Sequence, residues 1–200
     1  MLRSATDDFG VVRLRVMDSD RALAELAGDI RSRPGPVRIV GVDGCGGAGK
    51  TTFATRLSAA LDNAPVIHTD DFASHDVPIE WWPGMLRDVI EPLLRGEPAS
   101  YQPYDWVNRR VADSTITVEP SGVVIIEGVG ATRKAWRDRL AMRIWIDCPR
   151  DIRLARGIAR DGEDLREFWQ QWMKAEDDYV ESEQPQLHAD LVVSSANGSE

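Results

Sequence analysis

One stretch constrains this chain more than any other: Gly44 to Thr51, GCGGAGKT, placed directly after the apolar run VRIVGV (37–42). It fits the spacing G-x-x-x-x-G-K-[ST], which arises by chance in roughly one chain in a hundred of this length. Glycines let the backbone curl without Cβ clashes, so successive N–H groups point inward at the positive end of the helix that follows. Lys50 can then reach the β- and γ-phosphates of a nucleotide, and the Thr51 hydroxyl can ligate Mg²⁺. A buried strand precedes the loop and an amphipathic helix, about Lys50 to Leu61, follows it, as that mechanism requires. The segment therefore predicts a nucleoside triphosphate site built from Gly44, Cys45, Gly46, Gly47, Ala48, Gly49, Lys50, Thr51 and Thr52. Cys45 contributes its backbone there rather than its thiol.

The rest of the chain alternates strands with helices. DRALAELAGDIR (20–31) has helical spacing and is ended by RPGP (33–36). VIHT (66–69), GVVIIEG (122–128), MRIWID (142–147) and ADLVV (189–193) read as further strands. Between them the pattern predicts helices over about 80–95, over ATRKAWRDRL (131–140), over RDIRLARGIARD (150–161) and over about 163–183. Residues 98–118 look irregular apart from a strand-like TITV. Strands that are apolar throughout, separated by helices, imply a parallel sheet covered on both faces. The expected organisation is an N-terminal helix and linker (1–36), one α/β domain (37–194) and a frayed tail (195–200).

Charge and length exclude several roles. Two hundred residues support one domain with a real core, and a net charge of −9 argues against non-specific nucleic-acid binding. No apolar run approaches the roughly 20 residues of a membrane span, and MLRSATDDFG lacks the apolar core of a signal peptide. The two cysteines, Cys45 and Cys148, imply no disulfide framework. A soluble, cytoplasmic protein with small-molecule ligands is expected, without nucleic-acid or membrane partners. A homo-oligomer is compatible with this sequence, which leaves the oligomeric state open.

Further acids and arginines suggest the chemistry. Glu127 ends the most apolar strand, where an acid in a P-loop protein faces the magnesium directly or through water. Asp147, just before Pro149, reads as a helix N-cap. Neither N-K-x-D nor D-x-x-G follows the loop, which excludes a typical GTPase switch. Arg153, Arg156 and Arg160 recur towards one face of the helix over 150–161, where they can fold over phosphates as a lid. The competing reading is a solvated basic face paired with the acidic helix after it. His68, His75 and His188 show no metal-ligand spacing. Trp81, Trp82, Trp169 and Trp172 can line a substrate pocket, fill a core or form a subunit contact.

Taken in order, GCGGAGKTT, HTDDF, Asp76-Val77-Pro78, YDWVNRR, TITVEPSGVVIIEG and RLARGIARD resemble the uridine kinase (uridine–cytidine kinase) family of P-loop kinases, relatives of phosphoribulokinase and bacterial pantothenate kinase. The likeness runs from about Val37 to Val193. It implies a three-layer α/β/α sandwich with a five-stranded parallel sheet in the order 2-3-1-4-5 and a small lid at about 150–166. It implies transfer of the ATP γ-phosphoryl group, with Mg²⁺, to a hydroxyl of a uridine- or cytidine-like nucleoside. By the same resemblance Asp70 accepts the proton of that hydroxyl, Asp76 holds ribose hydroxyls, Tyr104 lies against the base, and Arg156 and Arg160 are lid arginines. Adjacent residues leaving a strand point to opposite sides, so Asp70 and Asp71 need not share a site. The chain departs from the pattern at Ala73, at Arg109 in place of a base-reading His, at Gly157 in place of an arginine, and in a shortened 161–164. Arg109 in an acceptor pocket suits an anionic substrate at least as well as uracil. A kinase for another hydroxylated metabolite, such as a pantothenate-like acid or a sugar phosphate, and a nucleotide-binding regulatory protein without transfer are the alternatives.

Overall fold

The computed structural model describes residues 13–15 and 19–195. In chain order these form β1 (Arg13–Arg15), α1 (Asp20–Ser32), β2 (Arg38–Asp43), α2 (Lys50–Ala60) and β3 (Val66–His68). A helical segment follows, α3 (Trp82–Met85), a π turn (Leu86–Ile90) and α4 (Glu91–Leu94), then the short strands β4 (Ala99–Tyr101), β5 (Tyr104–Asp105), β6 (Arg110–Val111) and β7 (Ile116–Val118). β8 (Val123–Glu127), β9 (Met142–Asp147), α5 (Arg150–Asp161), α6 (Arg166–Glu183) and β10 (Leu191–Ser194) complete the fold.

The main sheet runs β3-β8-β2-β9-β10-β1, all parallel. Its first five strands stand in the expected order 2-3-1-4-5. Among the described residues a sixth strand joins these five, Arg13–Arg15, which pairs in register with Leu191–Val193 at the edge. Alternation along the central strands explains their unbroken apolar sequences. Val40, Val42 and Ile125 face a core shared with Leu23, Leu26 and Ile30 of α1 and Leu57 of α2. Ile39, Val124 and Ile126 face the opposite core with Met85, Val89, Ile90 and Leu93. Each such side chain, fully buried, contributes about 1.5–3 kcal/mol. The segment around 80–95, which reads as mixed helical, carries Pro92, which cannot donate to the carbonyl one turn back and whose ring crowds it. The helix widens into the π turn immediately before that position.

Three local expectations are corrected. ATRKAWRDRL is not a helix but a series of turns with one 3₁₀ turn, Arg137–Arg139. Asp43 anchors the start of the segment through the amides of Gly130 and Thr132 (3.0 and 2.9 Å), and the chain then closes three-residue turns, Arg133 N to Gly130 O, Trp136 N to Arg133 O and Arg139 N to Trp136 O, instead of a run of helical bonds. Asp147 is exposed and does not cap α5, whose first turn follows Pro149 without a side-chain cap. Residues 98–118 hold two antiparallel ribbons, β4–β7 and β5–β6. The expected frayed tail lies outside the described residues from 196 onward. Among the described residues no helix is long and apolar enough to cross a membrane.

Candidate active site

The loop after β2 curls as its glycines demand. Gly47 has φ +76°, and a Cβ on it would lie 2.5 Å from the Arg153 carbonyl oxygen, which only glycine avoids. Gly49, also left-handed (φ +90°), leads directly into α2, which places the loop at that helix's N-terminus. Lys50 is buried, and its ammonium donates to the Cys45 carbonyl across the loop (3.1 Å). Burial pushes the Cys45 thiol up to about 12, so it stays protonated and chemically quiet.

A cavity of about 720 Å³ opens over this loop. It is lined by Gly46, Gly47, Gly49, Lys50, Thr51 and Thr52 on the cradle side, and by Asp70, Glu127, Arg156 and Arg160 around it. Asp70, in the turn after β3, is open to the cavity while protein crowds its remaining sides. That crowding raises its carboxyl above the usual range; Lys50 opposes the rise and Glu127 adds to it. Asp71 points elsewhere and accepts from the Tyr101 hydroxyl (2.9 Å), so the neighbouring acids serve different surroundings.

Glu127 lies almost wholly buried at the end of β8. Its Oε1 receives the Thr51 hydroxyl (3.1 Å) and meets His68 Nδ1 at 2.6 Å, while Oε2 is buried with no hydrogen-bond partner. An orphaned carboxylate oxygen beside a threonine hydroxyl, facing a phosphate cradle, fits a hard divalent cation. Among the described residues no group of three His, Cys, Asp or Glu side chains forms a metal cage by itself. Any cation here would draw its other ligands from phosphate and water, as Mg²⁺ does.

The basic helix divides its arginines between the two readings of the sequence. Arg150 pairs with Asp177, and Arg153 is buried against Glu176 (3.2 Å), so these two belong to the contact with the acidic helix. Arg153 does not face the lid with Arg156 and Arg160. Arg156 donates to the Ser195 carbonyl (2.9 Å), and its contact with the Gly47 carbonyl (3.4 Å) puts it against the cradle. Arg160 forms a two-point pair with Asp161 (2.7 and 2.8 Å) and stacks over Trp169, 5.5 Å from the ring centre. Trp169 stands where Gly157 leaves room beside it.

The predicted acceptor residues are only partly gathered. Arg109 lines the cavity, whereas Asp76 is exposed and Tyr104 stands one layer back. Tyr104 contacts the cavity-lining His75 (3.2 Å, hydroxyl to Nδ1) and packs edge-on against Trp106 (5.1 Å). Trp106, Phe168 and Trp172 join His75 in the wall. Of the four tryptophans weighed from sequence, Trp81 and Trp82 pack with the core; Trp169 and Trp172 reach the cavity.

Several supporting groups carry no motif. Asp43, fully buried, accepts from Gly44 N (2.7 Å), Gly130 N, Thr132 N and Oγ1, and the Tyr179 hydroxyl (2.7 Å). Glu176, also fully buried, accepts from the Gly46 amide (2.8 Å) and from Arg153. Its burial raises its carboxyl against the pull of Lys50 and the Gly46 amide. An acid and a tyrosine three residues apart on a helix are too ordinary to have singled these out.

Strand, curled loop, helix and a second acid on the neighbouring strand define a P-loop nucleotide-binding protein. The family model described as an AAA domain matches residues 40–184, and the chain belongs to that family. It also resembles uridine kinases. It is 26% identical over 139 residues to the uridine kinase of Borrelia duttonii (strain Ly), covering 62% of this chain and 68% of the relative. It is 27% identical over 140 residues to that of Staphylococcus haemolyticus (strain JCSC1435), with the same shares. A solved structure described as a possible uridine kinase from Bacillus stearothermophilus matches with a TM-score of 0.64 and 26% identity, over 86% of this chain and 98% of that one.

Proposed function

We propose that this protein is an ATP-dependent small-molecule kinase that transfers the γ-phosphoryl group to an acceptor hydroxyl, with residues 37–194 as the working unit and about 150–166 as its lid. The observation that carries the reading is the meeting, in one cavity, of Lys50, the Glu127–Thr51 pair and the open Asp70 carboxyl. When bound, Mg²⁺ would neutralise phosphate charge beside Glu127 and Thr51. The loop amides and Lys50 hold the phosphates, and Arg156 and Arg160 offer charge on the lid side. Asp70 orients the acceptor hydroxyl and takes its proton; a carboxyl raised towards neutrality suits that task better than an ordinary one. The likeness to uridine kinases supports a uridine-like nucleoside as acceptor, and the resemblance read from the sequence adds a cytidine-like one.

A second reading, a kinase for another hydroxylated metabolite such as a pantothenate-like acid or a sugar phosphate, is favoured by Arg109 in the cavity wall. A third, a nucleotide-binding regulator without transfer, is favoured by the engagement of Arg156 and Arg160 with protein groups. The test is ADP release with Mg²⁺ and ATP in the presence of uridine, cytidine, pantothenate and sugar phosphates. Acceptor-dependent ADP release supports the kinase. Nucleotide binding with no release for any acceptor supports the regulator.

A further inference from the structure

Arg109 differs from every other arginine that lines the cavity. Arg156 and Arg160 are hydrogen-bonded within the chain, whereas Arg109 makes no hydrogen bond, ion pair or ring contact among the described residues. Its backbone is left-handed, with φ +52°, a conformation that costs a non-glycine residue about 1–2 kcal/mol. The turn before it is fixed: the Asp105 carboxylate accepts from Val107 N, Asn108 N and Asn108 Nδ2 at 3.0, 3.0 and 2.7 Å. Arg109 is exposed at the last position of the four-residue turn that joins β5 to β6, where hairpin closure takes a left-handed residue, and its guanidinium lines the cavity without a protein partner among the described residues, free for a ligand. The adjoining wall is aromatic. His75 lies 5.0 Å from Trp106, Trp106 lies 5.8 Å from Trp172, and Phe168 lies 5.7 Å from Trp172, ring centre to ring centre. Phe168 is more than a third exposed, so this wall is not closed by the protein itself.

We infer that the acceptor is an anionic alcohol bearing a planar ring, with the ring against Trp106, Phe168 and Trp172 and its carboxylate or phosphate on Arg109. The inference rests on the kinase reading for the word acceptor, but the subsite can be read by binding alone. Unpaired, flat and two-pronged, the Arg109 guanidinium matches either oxyanion group, and the aromatic wall binds flat apolar faces. A neutral nucleoside satisfies the wall and leaves the cation without a partner.

The experiment compares uridine, 5-carboxyuridine and uridine 3′-monophosphate, each titrated by calorimetry into the protein with Mg²⁺ and a non-hydrolysable ATP analogue, then assayed for ADP release with ATP. One or both anionic compounds should bind about 10- to 100-fold more tightly than uridine, the range of one charge-assisted contact, and their order identifies carboxylate or phosphate. Arg109→Gln should collapse that ratio, and Arg109→Lys should recover part of it. Arg109→Gly keeps the left-handed backbone without strain and should collapse the ratio as well, which separates charge from loop geometry. Equal or tighter binding of uridine, or an unchanged ratio in the Gln and Gly variants, would overturn the inference. Anion-selective binding without ADP release would instead overturn the kinase reading and leave the subsite standing.

Discussion

Trp169 occupies the space that a side chain on Gly157 would need: a Cβ built there would lie 2.5 Å from the indole ring. The same indole comes within 3.1 Å of where a Cβ on Gly46 would be, donates to Asp161 (3.0 Å) and carries Arg160 over its face. One aromatic side chain on α6 thus joins the basic helix to the phosphate loop.

Gly157→Ala should destabilise the protein despite the better helix propensity of alanine, which offers about 1 kcal/mol. The obstructing atoms are the body of a buried ring, so overpacking of about 1–3 kcal/mol prevails. Urea unfolding reads the difference. Adding Trp169→Ala should make the double variant more stable than the sum of the two single effects predicts, and strict additivity would contradict the contact.

Asp70→Asn should reduce ADP release by about 10²- to 10⁴-fold while leaving the affinity for ATP nearly unchanged. Kinetics with a saturating acceptor, beside equilibrium nucleotide binding, separate the two. A fully active variant excludes Asp70 as the proton acceptor.

Glu127→Gln should weaken the hold on the cation. The amide keeps the hydrogen bond with Thr51 but loses the charge on a buried oxygen that has no partner. A magnesium titration of activity should shift to higher concentration by about tenfold, equivalent to about 1.4 kcal/mol. An unshifted curve removes Glu127 from the cation's surroundings.

Arg153→Met should be among the most destabilising changes outside the apolar core, because it leaves the fully buried Glu176 without its ion-pair partner. Breaking one side of such a pair costs about 3–5 kcal/mol. Adding Glu176→Gln should restore part of that loss in a thermal or denaturant melt. With Glu176→Gln measured alone as well, a double loss equal to the sum of the two single losses would show that the pair carries no coupling.

Asp190 supplies a pH test far from the cavity. Burial pushes its carboxyl up, but three contacts from Arg143 (2.8, 3.1 and 2.8 Å) outweigh that and hold it below the ordinary 3.8. A group whose folded value is lowered adds stability above its unfolded value and loses it as pH falls through the folded one. The stability difference between wild type and Asp190→Asn should therefore be largest near neutral pH and shrink below about pH 4. A difference constant down to pH 2 would refute the linkage.

Much of this protein was legible in local pattern. The cradle could be read because its mechanism needs glycines and a lysine at consecutive positions, and apolar β2, β8 and β9 announced a sheet buried on both faces. The helix expected over 131–140 failed for a reason distant in sequence: the amides of Gly130 and Thr132 are held by Asp43, 87 and 89 residues away, which no local pattern announces. Arg13–Arg15 gave no strand signal, since an edge strand of three residues is specified by the neighbour it pairs with.

The sequence by itself determined the nucleotide cradle and the parallel sheet, because both are written in contiguous residues with a fixed period. Only the tertiary structure decided which arginines face the cavity, which acid is orphaned, and that Tyr179 reaches Asp43 across 136 residues of chain. Such pairings depend on where strands and helices meet in space, and a buried charge reveals its role only through the partner that folding brings to it.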